Sequence, residues 1–174
     1  MVNFKEDEAL NTLNHSCAHL MAQAIRHLYP QAKFWVGPVV AEGFYYDVDF
    51  GDHVFKEEDM AAIEKEMKKL IKQGERLNYT TLPRQEAIEL MEKRQEPYKV
   101  ELIQDLPKDS VISFYEQGGF MDLCAGPHLM NTKPIKAFKL ISSSGAYWRG
   151  SEKNKMLTRI YGTAFGTKDE LEAY

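Results

Sequence analysis

The chain has 174 residues, of which 44% are hydrophobic and 28% charged, the mixture of an ordinary globular domain rather than of a disordered or collagen-like chain. The 22 basic and 26 acidic residues give a formal net charge of −4, which excludes nucleic-acid binding through overall charge and leaves room only for a local contact. Two cysteines cannot form a disulfide scaffold, and no stretch reaches the roughly 20 apolar residues of a membrane helix, so we expect a cytoplasmic protein.

The first predicted element is a helix over residues 8–28, closed by Pro30. Its apolar side chains recur at three- and four-residue spacing and form one stripe: Leu10, Leu13, Cys17, Leu20, Met21, Ala24 and Leu28. At about 100° per residue, His15, His19 and Arg26 fall on the opposite face. We therefore expect a two-sided helix, with one side for packing and the other carrying two histidines.

Strands and helices then alternate as far as residue 94. The predicted elements are short strands at residues 34–36 and 44–50, a helix over 56–73, a strand over 76–82 and a short helix that ends near Arg94. In the second strand, apolar and aromatic residues alternate with Tyr45, Asp47 and Asp49, which is the period of a half-buried strand. Gly74 marks the end of the longer helix.

From residue 98 onward the pattern is mainly that of β-strands. The predicted strands are residues 98–103, 111–115, 120–123, 138–142 and 156–161, with Gly118-Gly119 as a hairpin turn. The run from Thr167 to Glu170 has the capping-box pattern that opens a helix. Because that helix is cut short at Tyr174, we expect residues 1–174 to be a single domain from a longer protein, the last residues beginning a linker helix.

Two short motifs offer chemistry. His15-Ser-Cys-Ala-His19 places two imidazoles one helical turn apart, and Cys124-Ala-Gly-Pro-His128 places a thiol and an imidazole on a tight loop. Together they form a plausible tetrahedral zinc set; alternatively they line a wet, metal-free pocket for proton transfer. Each motif alone is also common in proteins without a ligand, and the expectation of a shared site rests on finding both in one short chain.

Three further residues are candidates for a site. Asp122 precedes Cys124 by two residues, so on a strand both side chains leave the same face. A carboxylate there could orient an imidazole or hold a substrate amine. Lys99 alternates with apolar neighbours and could equally be a solvated lysine, while Tyr46 shares its face with core residues and packs there by default.

Several strings along the chain resemble the editing domain of threonyl-tRNA synthetases, the second additional domain that these enzymes share with alanyl-tRNA synthetases. The matching strings are His15-Ser-Cys-Ala-His19, Gly37-Pro-Val-Val, Gly43-Phe-Tyr-Tyr-Asp47, Pro97-Tyr-Lys-Val-Glu-Leu102, Asp122-Leu-Cys-Ala-Gly-Pro-His128, Ala146-Tyr-Trp-Arg-Gly150 and Asn154-Lys-Met-Leu-Thr-Arg-Ile-Tyr-Gly-Thr-Ala-Phe165. They cover nearly the whole chain in the family's order. Alanyl-type domains typically end the cysteine motif with Gly-Gly-Thr-His, so the Gly-Pro-His ending here favours the threonyl branch.

The resemblance implies an α+β fold, with helices packed on a bent, mainly antiparallel sheet, and a deacylase that hydrolyses the ester of mischarged seryl-tRNA(Thr). It implies the acceptor end of tRNA(Thr) carrying serine and the rest of a synthetase chain as partners. The catalytic residues that it implies are His15, His19, Lys99, Asp122, Cys124 and His128, with Gly37 and Tyr46 lining the substrate pocket. The resemblance also implies that aminoacylation, with its ATP and catalytic zinc, belongs to a core absent from this chain.

No cofactor is expected for editing in the threonyl branch. Zinc at His15, His19, Cys124 and His128 is the alternative, because alanyl-type relatives hold zinc at these positions. Two other functions therefore stay open: a non-catalytic, zinc-stabilised module that positions tRNA, and an alanyl-type, zinc-dependent deacylase that edits in trans.

Overall fold

The structure is a computed structural model and describes residues 8–35, 39–40, 43–51, 53, 55–73, 78–106, 111–117, 120–123, 137–147, 156–165 and 168–173. In chain order its elements are α1 (Glu8–Leu28), β1 (Lys33–Phe34), β2 (Val39–Val40), β3 (Gly43–Asp49), α2 (Glu57–Gln73), β4 (Asn78–Pro83), α3 (Arg84–Lys93), α4 (Pro97–Gln104), β5 (Val111–Gln117), β6 (Phe120–Leu123), β7 (Ala137–Tyr147), β8 (Met156–Phe165) and α5 (Lys168–Ala173). All described strand pairs are antiparallel, which confirms the predicted α+β class.

The larger sheet is built around β3. This strand pairs with β8 on one side and with both β1 and β2 on the other, and β7 extends the sheet beyond β8. Tyr46 lies opposite Ile160 in the β3–β8 register, and both side chains are buried. Because side chains alternate along a strand, Phe44 and Val48 share the face of Tyr46. This face of the sheet meets the helices.

Helices α1 and α2 cover that face and form the main core with it. The core includes Leu20, Met21 and Ile25 from α1, and Ile63 and Met67 from α2. Asn14 also ties α1 to the sheet, since its side chain makes two hydrogen bonds with the backbone of Ala164 in β8. The structure modifies the prediction of a two-sided helix, because the histidine-bearing side of α1 is also largely covered.

The smaller sheet has the strand order β4-β5-β6 and its own apolar cluster with α3 and α4. The buried members of this cluster are Ala87, Met91, Ile103, Ile112 and Phe114. The β5–β6 pairing runs to Gln117 opposite Phe120, so the predicted hairpin is confirmed, although its two glycines lie outside the described residues. Within the described part of the chain, no helix is long and apolar enough to cross a membrane.

One predicted element is wrong in type. Residues 98–103 were expected to form a strand, but they lie within the helix α4. Pro97 occupies the first turn of α4, where its missing N–H costs nothing and its fixed φ favours a helix. The helix buries Tyr98, Lys99 and Ile103, so its buried side includes a charged residue that conceals the helical period.

The turn between α3 and α4 directs the start of α4. Gln95 has a φ of 59°, in the left-handed region usually occupied by glycine. Its N–H donates to the carbonyl of Glu92, and the N–H of Glu96 donates to that of Met91, which together form a Schellman motif. The left-handed residue reverses the chain sharply and turns Glu96 inward, where its side chain is buried.

Candidate functional site

The two histidines of α1 lie side by side, as the helical spacing predicts. Their ring centroids are 5.9 Å apart and the rings are tilted by 53°. His15 is half-buried, whereas His19 is only 5% exposed. Between them, Cys17 is fully buried on the core side, and burial raises the pKa of its thiol well above the usual range. Cys17 therefore serves packing, and the histidines remain the chemical groups of this motif.

Lys99 reaches the larger sheet from α4. Its side chain donates hydrogen bonds from Nζ to the hydroxyl of Tyr46 at 2.9 Å and to the backbone carbonyl of Trp35 at 2.7 Å. The same nitrogen lies 5.3 Å from the centre of the Tyr46 ring, and the residue is only 2% exposed. The expectation that Lys99 could be an ordinary solvated lysine is therefore wrong, and Tyr46 has a polar role besides core packing.

A second tyrosine fastens α4 to the end of β3. The hydroxyl of Tyr98 donates to Asp49 Oδ2 at 2.7 Å, and the other oxygen of Asp49 accepts from the N–H of Gly51 at 2.8 Å. Burial and this bond to a carboxylate raise the pKa of Tyr98, so its hydroxyl keeps its proton and remains a donor. Tyr98 and Lys99, which are consecutive residues, thus both hold the first turn of α4 against the sheet.

The other predicted site residues are described in part or not at all. Asp122 lies in β6 with its backbone opposite Tyr115, and β6 lies against α1, so the strand that carries Asp122 adjoins the histidine-bearing helix. Gly37, Cys124 and His128 lie outside the described residues. Their membership of the site stays a prediction.

The zinc alternative gains no support from the part of the site that can be described. No three His, Cys, Asp or Glu side chains among the described residues stand close enough together to hold a metal ion. His15 and His19 supply two of the four predicted ligands, and the other two lie outside the described residues.

Arg159, on the other face of the larger sheet, is held by an ion pair. Its Nε and Nη2 donate to the two carboxylate oxygens of buried Asp47 at 2.8 and 3.0 Å, and its guanidinium lies 4.1 Å from the centre of the Tyr45 ring. The hydrogen bonds to Asp47 raise the pKa of Arg159 further. These contacts give Arg159 a role in stabilising the sheet.

Sequence reasoning missed an ion pair that joins α1 to α4. Arg26 Nη2 lies 3.0 Å from Glu96 Oε2, immediately before α4 begins. The helical spacing already placed Arg26 on the histidine face of α1, but nothing in the sequence indicated its partner. The pair connects the helix that carries His15 and His19 with the helix that carries Lys99.

Comparison with known proteins shows which sequences this chain is similar to. Residues 112–161 match the family described as "Threonyl and Alanyl tRNA synthetase second additional domain". Over all 174 residues the chain is 56% identical to a threonine–tRNA ligase of Clostridium acetobutylicum and 55% identical to that of Acetivibrio thermocellus. It covers 27% of each of these two proteins, and so spans about a quarter of the length of the curated relatives that it matches. The predicted resemblance is thereby confirmed: the chain is similar along its whole length to one region of threonine–tRNA ligases, and residues 112–161 match the second additional domain that threonyl- and alanyl-tRNA synthetases share.

Proposed function

We propose that this chain is the editing domain of a threonine–tRNA ligase, and that it hydrolyses the ester of mischarged seryl-tRNA(Thr) without a metal. The observation that carries the proposal is the placement of Lys99 Nζ. It is buried against the hydroxyl of Tyr46, and Tyr46 lies on β3, a strand that contacts the histidine-bearing helix α1. A buried donor can polarise an ester carbonyl, and an imidazole can help to move the proton of an attacking water. The similarity to threonine–tRNA ligases supports this ester as the substrate.

Substrate chemistry explains why a second site is needed. Serine lacks one methyl group of threonine, and a missing methyl group costs a binding pocket only about 1–3 kcal/mol of discrimination. A synthetic site that fits threonine therefore admits some serine. The editing pocket must do the reverse, accepting serine and excluding threonine by its size.

In this proposal each residue has a distinct task. His15 and Lys99 position the attacking water and transfer its proton, and Asp122 binds the ammonium or hydroxyl group of the seryl moiety. His19, Cys124 and His128 shape the pocket, which Gly37 and Tyr46 line.

The water attacks the carbonyl carbon, the bond to the 3′-terminal ribose breaks, and the ribose oxygen leaves as a hydroxyl. An ester is reactive enough for positioned water and polarising groups to suffice without a covalent intermediate. The acceptor end of tRNA(Thr) and the rest of the synthetase are the proposed partners.

Hydrolysis of seryl-tRNA(Thr) and of threonyl-tRNA(Thr) tests the proposal directly. Wild-type chain and His15→Ala are assayed with and without a chelator, both as this chain and within a full-length synthetase, which supplies the remaining tRNA contacts. We expect wild type to hydrolyse the seryl ester at least about 10-fold faster than the threonyl ester, since one methyl group decides the fit. The chelator should not change this rate, and His15→Ala should abolish the activity.

The two alternatives give different results. Activity that the chelator removes and zinc restores would favour the alanyl-type deacylase. If neither form hydrolyses the seryl ester and the chelator unfolds the chain, the non-catalytic, zinc-stabilised module replaces our proposal.

A further inference from the structure

We propose that the Arg26–Glu96 ion pair is a positioning device, which holds Lys99 Nζ against the hydroxyl of Tyr46. The proposal deepens the editing function proposed above and rests on it for its catalytic consequence. Neither residue is among those that the resemblance to the family assigns to the site. Their role follows from how α4 is attached to the rest of the domain.

The ion pair is well placed to control α4. Arg26 is on the same side of α1 as the histidines, 11 and 7 residues after them, or about three and two helical turns. Glu96 immediately precedes α4, and Lys99 follows it by three residues within the first turn of that helix. The side chain of Glu96 is only 5% exposed and that of Arg26 28%, so the pair lies at the border of the core rather than in bulk water.

A series of contacts leads from Arg26 through the sheet to Lys99 and back along α4 to Glu96. The Arg26 guanidinium lies 5.1 Å from the centre of the Phe34 ring, and that ring meets Tyr46 edge to face at 5.6 Å between centroids. Tyr46 in turn accepts the hydrogen bond from Lys99, and α4 leads back from Lys99 to Glu96. Each member therefore restrains the next, and a shift of Glu96 moves the backbone of Lys99 with it.

The chemistry of the pair explains why its loss should matter. The inward turn at Gln95 brings the Glu96 carboxylate into a buried position, and a buried carboxylate without a cation is unfavourable. If Arg26 is removed, we expect the Glu96 carboxylate to move outward to water and the start of α4 to move with it. Lys99 Nζ then leaves the Tyr46 hydroxyl. The main core stays folded, because none of its described members belongs to α4.

The test measures where Lys99 lies and how fast the seryl ester is hydrolysed. Arg26→Met keeps the apolar stem and removes the charge, and Arg26→Lys keeps the charge. Lys139→Met is the control, since it removes a more exposed ion pair outside the site, that of Lys139 with Glu64 at 3.4 Å. Reaction of each variant with an amine-specific acetylating reagent, followed by peptide mass spectrometry, reports the accessibility of Lys99. Steady-state hydrolysis of seryl-tRNA(Thr) gives kcat and KM.

We expect Arg26→Met to raise the labelling rate of Lys99 at least about 10-fold and to lower kcat by a similar factor with little change in KM. Arg26→Lys should restore much of both, and Lys139→Met should resemble wild type. Unchanged labelling of Lys99 in a folded Arg26→Met chain would overturn the positioning role. Because labelling needs no hydrolysis, a wild type that protects Lys99 but fails to hydrolyse the ester would contradict the proposed function and leave the positioning result standing.

Discussion

Replacing Lys99 by methionine is expected to lower hydrolysis of seryl-tRNA(Thr) by about 10²-fold or more, the usual contribution of a positioned proton-transfer or charge-stabilising group. Methionine matches the length of the lysine stem and fills the same buried space. The Tyr46 hydroxyl and the Trp35 carbonyl lose a donor, which destabilises the fold, whereas the buried amino group no longer has to be desolvated. We therefore expect the free energy of unfolding to fall by less than about 2 kcal/mol.

The matched control is Lys69→Met, which makes the same substitution at an exposed position of α2. It should change neither hydrolysis nor stability appreciably. Parallel urea unfolding and single-turnover deacylation separate the two effects. A Lys99→Met chain that is fully folded and hydrolyses the ester at the wild-type rate would remove Lys99 from the mechanism.

Replacing Asn14 by alanine should have the largest effect on stability. The Asn14 amide donates to the carbonyl of Ala164 at 2.9 Å and to that of Leu10 at 2.8 Å, and its oxygen accepts from the N–H of Ala164 at 2.9 Å. Alanine leaves the buried N–H and C=O of Ala164 without these partners, and each such group costs about 1–3 kcal/mol. We expect the free energy of unfolding to fall by about 3 kcal/mol, which urea unfolding followed by circular dichroism can measure.

Two further variants sharpen this prediction. Asn14→Asp keeps the acceptor for the Ala164 N–H but places a carboxylate oxygen against the Ala164 carbonyl, so it should be at least as destabilising as alanine. Gln85→Ala removes an exposed amide on α3 and should change stability by less than about 0.5 kcal/mol. A loss below about 1 kcal/mol for Asn14→Ala would show that another contact holds α1 on β8.

The sequence predicted an element best where its buried residues recur at the period of the secondary structure. The apolar stripe of α1 predicted a helix with the observed bounds Glu8–Leu28, and the alternation through Tyr45 and Asp47 predicted β3. In both elements, residues with the same environment recur at the spacing of the secondary structure. The motif of two histidines was readable for the same reason, since both lie within one helix.

The prediction of a strand for residues 98–103 was wrong because part of the buried side of α4 is polar. Lys99 and Glu96 are buried through partners that lie 53 and 70 residues away in the sequence, Tyr46 and Arg26, so no local pattern marks them as core residues. Alternation of Lys99 and Glu101 with apolar neighbours then imitates a strand. Asn14 escaped notice similarly, because its hydrogen bonds reach across 150 residues to Ala164.

The most direct test of the central claim is to locate where a seryl-ribose binds. A non-hydrolysable analogue, in which an amide joins serine to the 3′ position of adenosine, is titrated into the isotope-labelled chain, and binding is followed by NMR chemical shifts. We predict that the largest shifts fall on the ring signals of His15, His19 and Tyr46 and on the side chain of Lys99, and that the threonyl analogue binds more weakly. Shifts confined to other parts of the chain, or equal binding of both analogues, would contradict an editing site at this place.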